Sequence, residues 1–294
     1  VSIGVALSGG GVRGASHIGV LKAFCENHIK IDYISGTSMG AIVAALYACG
    51  YTPEEIQDIF KRYDLDRILQ VYDKRPKGPV KLLGFVWGLM AKDADQCCGF
   101  FNLKKVEKII EELLLKRGAR MMGDTAIFLA IPAADLKQGK TVFFVSDKMV
   151  FTPSPQFDYI NDVQISQAVR ASISYPIVFS PFNLRDYQLT DGGVTTPIPI
   201  DVLRRRGASK IIGVNTTVED NSPKNCYNIV EVASRCIEMM GCQVARCNMQ
   251  YADLIVHCDL PTATFDFFKM EESIEFGYQE AMRQMPQILS KIYF

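Results

Sequence analysis

Near its start the chain twice repeats one local pattern: a short apolar run, a glycine-rich turn, then a stretch of helix formers. Residues 3–7, "IGVAL", lead into "SGGGVRG" and the helically spaced "ASHIGVLKAFCENH". Residues 33–35, "YIS", lead into "GTSMG" and "MGAIVAALYACG". Short apolar runs between turn signals mark buried strands, and apolar residues at a 3.6-residue period mark helices. Strands that alternate with helices pair in parallel, because a helical crossover returns the chain to the same end of the sheet. The fold class is therefore α/β, a mostly parallel sheet covered by helices.

The rest of the chain extends this pattern. Thr52-Pro53-Glu54-Glu55 is a capping box with proline at the first helical position, predicting a helix to about residue 63. An amphipathic helix is predicted over 103–116, with Val106, Ile109, Ile110, Leu113 and Leu114 on one face. "AIFLAIPAADL", "KTVFFVS" and "MVFTPS" are strand-like, "ISQAVRAS" is helical, and "FNLRDYQLTDGG" alternates as a hairpin whose second arm ends at Asp191. "KIIGVN" and "ADLIVHCDL" supply two more buried strands, separated by a long helix over about 228–249. Between 64 and 101 the pattern weakens, and that segment is read as a cap or lid inserted into one domain spanning 1–294.

Charge and cysteine usage narrow the function classes. Thirty-two basic residues face 32 acidic ones, so the electrostatic footprint of a nucleic-acid binder is missing. The nine cysteines form no C-x-x-C pair and are read as reduced thiols, with no metal site expected. The opening "VSIGVALSGGG" lacks the basic region of a secretory signal, and the longest apolar run, 80–91, is too short to span a bilayer. A cytoplasmic protein is expected.

Each glycine turn has two readings. Gly9, Gly11 and Gly14 stand in G-x-G-x-x-G between a strand and a helix, which invites a dinucleotide. The fingerprint also needs an acidic residue at the far end of the second strand, and Asp32 stands before that strand, at the wrong edge of the sheet. The other reading is electrostatic: N–H groups of Gly9, Gly10 and Gly11 at a helix start can stabilise the oxyanion formed when a carbonyl is attacked, with Arg13 adjacent. In "GTSMG", Ser38 sits at the centre of G-x-S-x-G between strand and helix, the setting of a nucleophile elbow; a plain helix cap is the competing use.

A serine nucleophile needs a base. Of the three histidines, only His257 follows the order of a usual triad, and its apolar run "DLIVHCDL" suits a packed core histidine better. Asp191 ends a strand arm and precedes Gly192 and Gly193, which permit a sharp turn and close approach; an Asp-Gly hairpin turn is the competing use. A free aspartate, with a pKa of ~3.9, is a feeble base, so this role requires a dry site.

"SGGGVRG", "GTSMG" and "DGG", in that order, with "AVRASISYPIVF" before the aspartate and "PIPIDVLRRRGASKIIGVN" after it, resemble the patatin-like phospholipases, particularly small bacterial members. The resemblance implies a three-layer α/β/α fold and a Ser-Asp dyad of Ser38 and Asp191. It also implies an oxyanion hole from Gly9, Gly10 and Gly11 with Arg13 beside it, no cofactor and no metal. The implied activity is hydrolysis of a lipid ester or phospholipid through an acyl-enzyme. Ser8 stands where some members, including plant storage proteins, have aspartate. The apolar run 80–91 is expected either to be a buried helix or to touch a membrane peripherally as a lid. Two other classes stay open: a hydrolase or acyltransferase using His257, and a non-catalytic lipid- or nucleotide-binding regulator that keeps the glycine loop.

Overall fold

The computed structural model describes residues 1–63, 103–147, 154–217, 225–227, 229–260 and 270–293. The insertion expected at 64–101, with its apolar run 80–91, lies outside the described residues, as does nearly all of "MVFTPS".

Strand β1 (Ile3–Leu7) is followed by a 3-10 turn (Gly11–Ala15) and helix α1 (Ser16–Glu26); β2 (Tyr33–Gly36) is followed by α2 (Met39–Ala48). Helix α3 (Pro53–Arg62) starts on the expected capping box: the Thr52 hydroxyl accepts the Glu55 N–H at 3.2 Å, and the Glu55 carboxylate accepts the Thr52 N–H at 2.9 Å. Then come α4 (Lys104–Leu115), β3 (Phe128–Asp135), β4 (Lys140–Val145), β5 (Phe157–Ile160), α5 (Ile165–Ser172), and the hairpin β6 (Phe182–Leu184) and β7 (Tyr187–Asp191). The last elements are α6 (Ile200–Arg206), β8 (Lys210–Asn215), α7 (Ile229–Met249), β9 (Leu254–His257) and α8 (Met270–Tyr293).

The strands form one mixed sheet in the order β5-β4-β3-β2-β1-β8-β9, with β7 joining β3 and β6 joining β7. Pairing is parallel from β3 through β9, and β3 pairs antiparallel with both β4 and β7. Side chains alternate between two cores. Val5, Leu7, Leu129, Ile131, Phe144 and Val214 pack under the larger helical layer, while Ala6, Phe128, Ala130, Phe143 and Ile211 face a smaller cluster with α6. Period-2 alternation divides the two faces in the way a sheet between two helical layers requires.

One detail of β3 places the site. Its first half pairs with β2, Ser35 opposite Ala130; its second half pairs with β7, Ala133 opposite Asp191. Both Ala130 and Ala133 also pair with β4, so β2 and β7 must share the other edge of β3. The two strands run in opposite directions along that edge and converge head-on, so their carboxyl ends, Gly36 and Asp191, come to one place. The hairpin was legible in the sequence, but this convergence was not.

Candidate active site

At the end of β2 the chain must turn away before it collides with β7. Thr37 is the hinge: its N–H donates to Leu7 O at 3.0 Å and its hydroxyl to Thr196 O at 2.8 Å. Ser38 then adopts φ 54° and ψ −119°, a backbone region that side chains other than glycine rarely occupy. Its neighbours must be small. A Cβ at Gly36 would lie 2.1 Å from Gly40 O, and one at Gly40 would lie 2.6 Å from Ser8 O. From Ile34 to Leu46 every residue is buried except Ser38, which is half-exposed. Although Ser38 occupies the cap position of α2, its side chain makes no capping hydrogen bond, so the plain cap expected as the competing use is not formed.

Asp191 arrives from the opposite strand and is 3% exposed. Its N–H donates to Ser174 O at 3.0 Å, and its Oδ1 accepts the Gly193 N–H at 2.7 Å. Oδ2 is buried with no donor at hydrogen-bond geometry. Burial pushes the carboxyl pKa up from 3.8 to about 6; the Ser38 side chain and the Gly193 N–H both pull it back toward the charged form. The Ser38 hydroxyl thus stands within electrostatic reach of the carboxyl and short of a finished hydrogen bond, a looseness common in sites without substrate.

The glycine loop is clamped from three sides. The Gly9 N–H donates to Pro197 O at 2.9 Å, and the Thr216 hydroxyl donates to Gly9 O at 2.9 Å. Ser8 Oγ accepts the Thr216 N–H at 2.9 Å, and His17 Nε2 meets Ser8 O at 2.8 Å. Gly9 is therefore not free to donate to a ligand, which corrects the expectation of three glycine donors. Among the described residues, no hydrogen bond engages the N–H of Gly10, the cap of the 3-10 turn, or of Gly11, its first residue, and both are half-exposed. Gly10 fits because its missing Cβ would lie 2.1 Å from Thr216 Oγ1. Arg13 Nε reaches back to Gly10 O at 3.5 Å.

Two parts of the arrangement were not among the site residues expected from the sequence: Ser172, which belongs to no motif, and Met39, which stands inside G-x-S-x-G. Ser172 Oγ, fully buried at the end of α5, accepts the Ser38 N–H at 3.1 Å. The Met39 N–H, at the first position of α2, is the donor that a nucleophile elbow adds to an oxyanion hole, and among the described residues no hydrogen bond engages it.

The other candidates lie elsewhere. Asp32 accepts the Ile3 N–H at 2.9 Å, at the edge of the sheet opposite the glycine loop, where it cannot reach a nucleotide ribose. His257 is exposed at the end of edge strand β9, not packed in a core as expected, because Leu254 and Val256 take the inward positions of that strand. β9 is separated from β2 by β8 and β1, about 14 Å at the usual strand spacing. His17 is wholly buried, and that burial holds its pKa down at about 4, so the ring is neutral. Among the described residues, no group of His, Cys, Asp and Glu could hold a metal ion. No described helix is long and apolar enough to cross a membrane.

The family model described as patatin-like phospholipase matches residues 5–204. The uncharacterised protein YqhO of Bacillus subtilis is 29% identical over 241 residues, covering 79% of this chain and 78% of its own length. Lysophospholipase NTE1 of Candida albicans is 25% identical over 226 residues, 76% of this chain but 14% of that protein. Among solved structures, ExoU in its heterodimeric complex with SpcU, from the type III secretion system of Pseudomonas aeruginosa, matches with a TM-score of 0.52 at 17% identity, covering 99% of this chain and 52% of that one. VipD of Legionella pneumophila matches with a TM-score of 0.50 at 16% identity, covering 97% of this chain and 67% of that one. At these identities the two structures bear on the fold alone.

Proposed function

The chain belongs to the patatin-like phospholipase family, and we propose that it hydrolyses a carboxylic ester of a lipid through an acyl-enzyme on Ser38. The observation that carries this reading is a single pairing. A strained serine whose hydroxyl is not used as a cap stands close enough to the buried Asp191 carboxyl to pull it toward its charged form, and one oxygen of that carboxyl has no donor of its own.

In this reading Asp191 is the general base. Its pKa of about 6 makes it a far better proton acceptor than a free aspartate, yet leaves it about nine-tenths ionised at pH 7. Asp191 takes the Ser38 proton as Oγ attacks the ester carbonyl. The oxygen that becomes negative faces the N–H groups of Gly10 and Gly11, joined by that of Met39. Collapse of the tetrahedral species expels the alcohol, which receives the proton from Asp191. Water, activated by the same carboxylate, then releases the fatty acid. A histidine is not required, because in this reading the base stands next to the nucleophile with no relay between them.

The test compares hydrolysis of a short nitrophenyl ester by wild type, Ser38→Ala and Asp191→Asn, together with fluorophosphonate labelling. Labelling and turnover that vanish in Ser38→Ala support the proposal. Full activity in Ser38→Ala removes Ser38 as the nucleophile. A wild type that neither labels nor turns over ester supports the regulator instead.

A further inference from the structure

Three consecutive peptides carry the glycine loop, and each has its carbonyl held by a side chain. Ser8 O accepts from His17 Nε2 at 2.8 Å, Gly9 O from the Thr216 hydroxyl at 2.9 Å, and Gly10 O from Arg13 Nε at 3.5 Å. A trans peptide is a rigid plane in which the C=O and the following N–H point opposite ways, so holding a carbonyl aims the next residue's N–H. The first plane is fixed at both ends, since the Gly9 N–H also donates to Pro197 O. Among the described hydrogen bonds the second plane is held through Thr216 alone, and its open end is the N–H of Gly10.

The direction matters because of where Thr216 stands. β1 lies between β2 and β8 in the sheet, so the loop that follows β1 has Ser38, after β2, on one side and Thr216, after β8, on the other. The near contacts agree: a Cβ on Gly9 would lie 3.6 Å from Ser38 Cβ, and one on Gly10 would lie 2.1 Å from Thr216 Oγ1. With Gly9 O turned toward Thr216, the Gly10 N–H leaves the plane on the Ser38 side. The loop itself does not enforce this, because a peptide flanked by two glycines can rotate over with no Cβ to oppose it. Rotated, it would present the Gly9 carbonyl oxygen to the developing negative charge, an acceptor where a donor is needed.

The hydroxyl proton of Thr216 is committed to that bond. Thr216 and Ser8 are both wholly buried. The Thr216 N–H donates to Ser8 Oγ at 2.9 Å, and the two hydroxyl oxygens lie 3.1 Å apart. Gly9 O can only accept, so Thr216 gives its one hydroxyl proton there, and Ser8 supplies the proton between the two hydroxyls. We propose that Thr216 is a positioning residue of the hydrolase site: its hydroxyl, by holding Gly9 O, aims the Gly10 N–H at the oxyanion. The inference rests on the reading of Ser38 as the nucleophile of an ester hydrolase.

The experiment compares the full chain with three variants. Thr216→Val keeps the shape and the backbone bond to Ser8 but removes the donor, Thr216→Ser keeps the donor, and Thr216→Cys offers a weak one. Each is assayed on the soluble nitrophenyl ester and for inhibition by a hexyl trifluoromethyl ketone. Ser38 Oγ adds to the ketone carbon, the carbonyl π pair moves onto oxygen and the serine proton passes to Asp191, so the adduct carries the oxyanion without turnover. Thr216→Val should lose at least about 100-fold in kcat, the scale of a lost oxyanion donor, with KM within about twofold. Affinity for the ketone should fall by a similar factor, Thr216→Ser should restore both, and Thr216→Cys should lie between. A folded Thr216→Val with the kcat of wild type overturns the proposal. So does a loss confined to KM, an unchanged ketone affinity while kcat falls, or a Thr216→Ser as impaired as Thr216→Val. If valine prevents folding, a Thr216→Cys that matches Thr216→Ser in kcat and ketone affinity overturns it instead. All these failures leave the hydrolase reading standing, whereas a wild type that neither turns over ester nor takes up the ketone removes that reading together with this one.

Discussion

Ser172 holds Ser38 by its backbone: the Ser172 hydroxyl oxygen, at the end of α5, accepts the Ser38 N–H at 3.1 Å. The bond fixes a residue whose own φ and ψ are unfavourable, and it comes from an element 134 positions away. Replacing Ser172 by alanine leaves that N–H without its acceptor. We expect kcat to fall roughly 10–100-fold with KM nearly unchanged, because a misplaced nucleophile loses rate before it loses binding. The same change should cost about 1–3 kcal/mol in urea unfolding. Steady-state kinetics on a soluble ester reads the split, and a change confined to KM would contradict it.

The strain at Ser38 has its own signature. At φ 54° and ψ −119°, alanine keeps the strain and glycine relieves it. Ser38→Gly should therefore be more stable than Ser38→Ala by about 1 kcal/mol, the relief being partly offset by the greater freedom of glycine in the unfolded chain. Both variants should be inactive. Urea midpoints with unchanged slopes provide the measurement.

Asp191 links activity and stability to pH with opposite signs. Its folded pKa lies at about 6, above the ordinary aspartate value of 3.8, so between those values the folded state holds a proton that the unfolded state has released. Its favourable contribution is complete below about pH 4 and is lost as pH rises through 6. Asp191→Asn escapes that loss. It should match wild type near pH 4 and exceed it by roughly 3 kcal/mol at pH 7.5. Hydrolysis by wild type should instead rise through pH 6 as the base ionises. A variant no more stable at pH 7.5 than at pH 4, relative to wild type, would argue against a desolvated carboxylate.

Neighbouring glycines should differ in tolerance. A methyl on Gly10 would fall 2.1 Å from Thr216 Oγ1, whereas one on Gly9 meets Ser38 Cβ at an ordinary 3.6 Å. Gly10→Ala should reduce ester hydrolysis at least 100-fold, the scale of a lost oxyanion donor, and Gly9→Ala markedly less. Comparing kcat of the two variants, each shown folded by circular dichroism, decides between them.

What the sequence revealed follows from which forces are local. β1, β2, α1, α2 and α3 were readable because period, capping box and glycine turns are written within a few consecutive residues. The pairing of Ser38 with a strand-end Asp191 was readable from glycines and, by resemblance, from motif order. Ser172 and Thr216 were not, because each acts through hydrogen bonds to a loop distant in sequence and carries no spacing of its own. The occupied Gly9 N–H depends on Pro197, from yet another element. β5 was missed because "FDYI" is short and half-polar, and it becomes a strand by pairing with β4. His257 was misplaced because an apolar run does not tell an edge strand from a central one.

The shared edge of β3 also bears on how such chains can vary. Ser38 and Asp191 are far apart in sequence, yet the distance between them is measured along three residues of one strand, from Ala130 to Ala133. Whatever is inserted between β2 and β7 does not enter that measurement, provided that β3 keeps both partners in register. The number of residues that join α3 to α4 therefore does not enter the distance between Ser38 and Asp191 along β3. A slip of β7 by a single residue, in contrast, would move Asp191 about 3.3 Å and turn its side chain to the other face of the sheet.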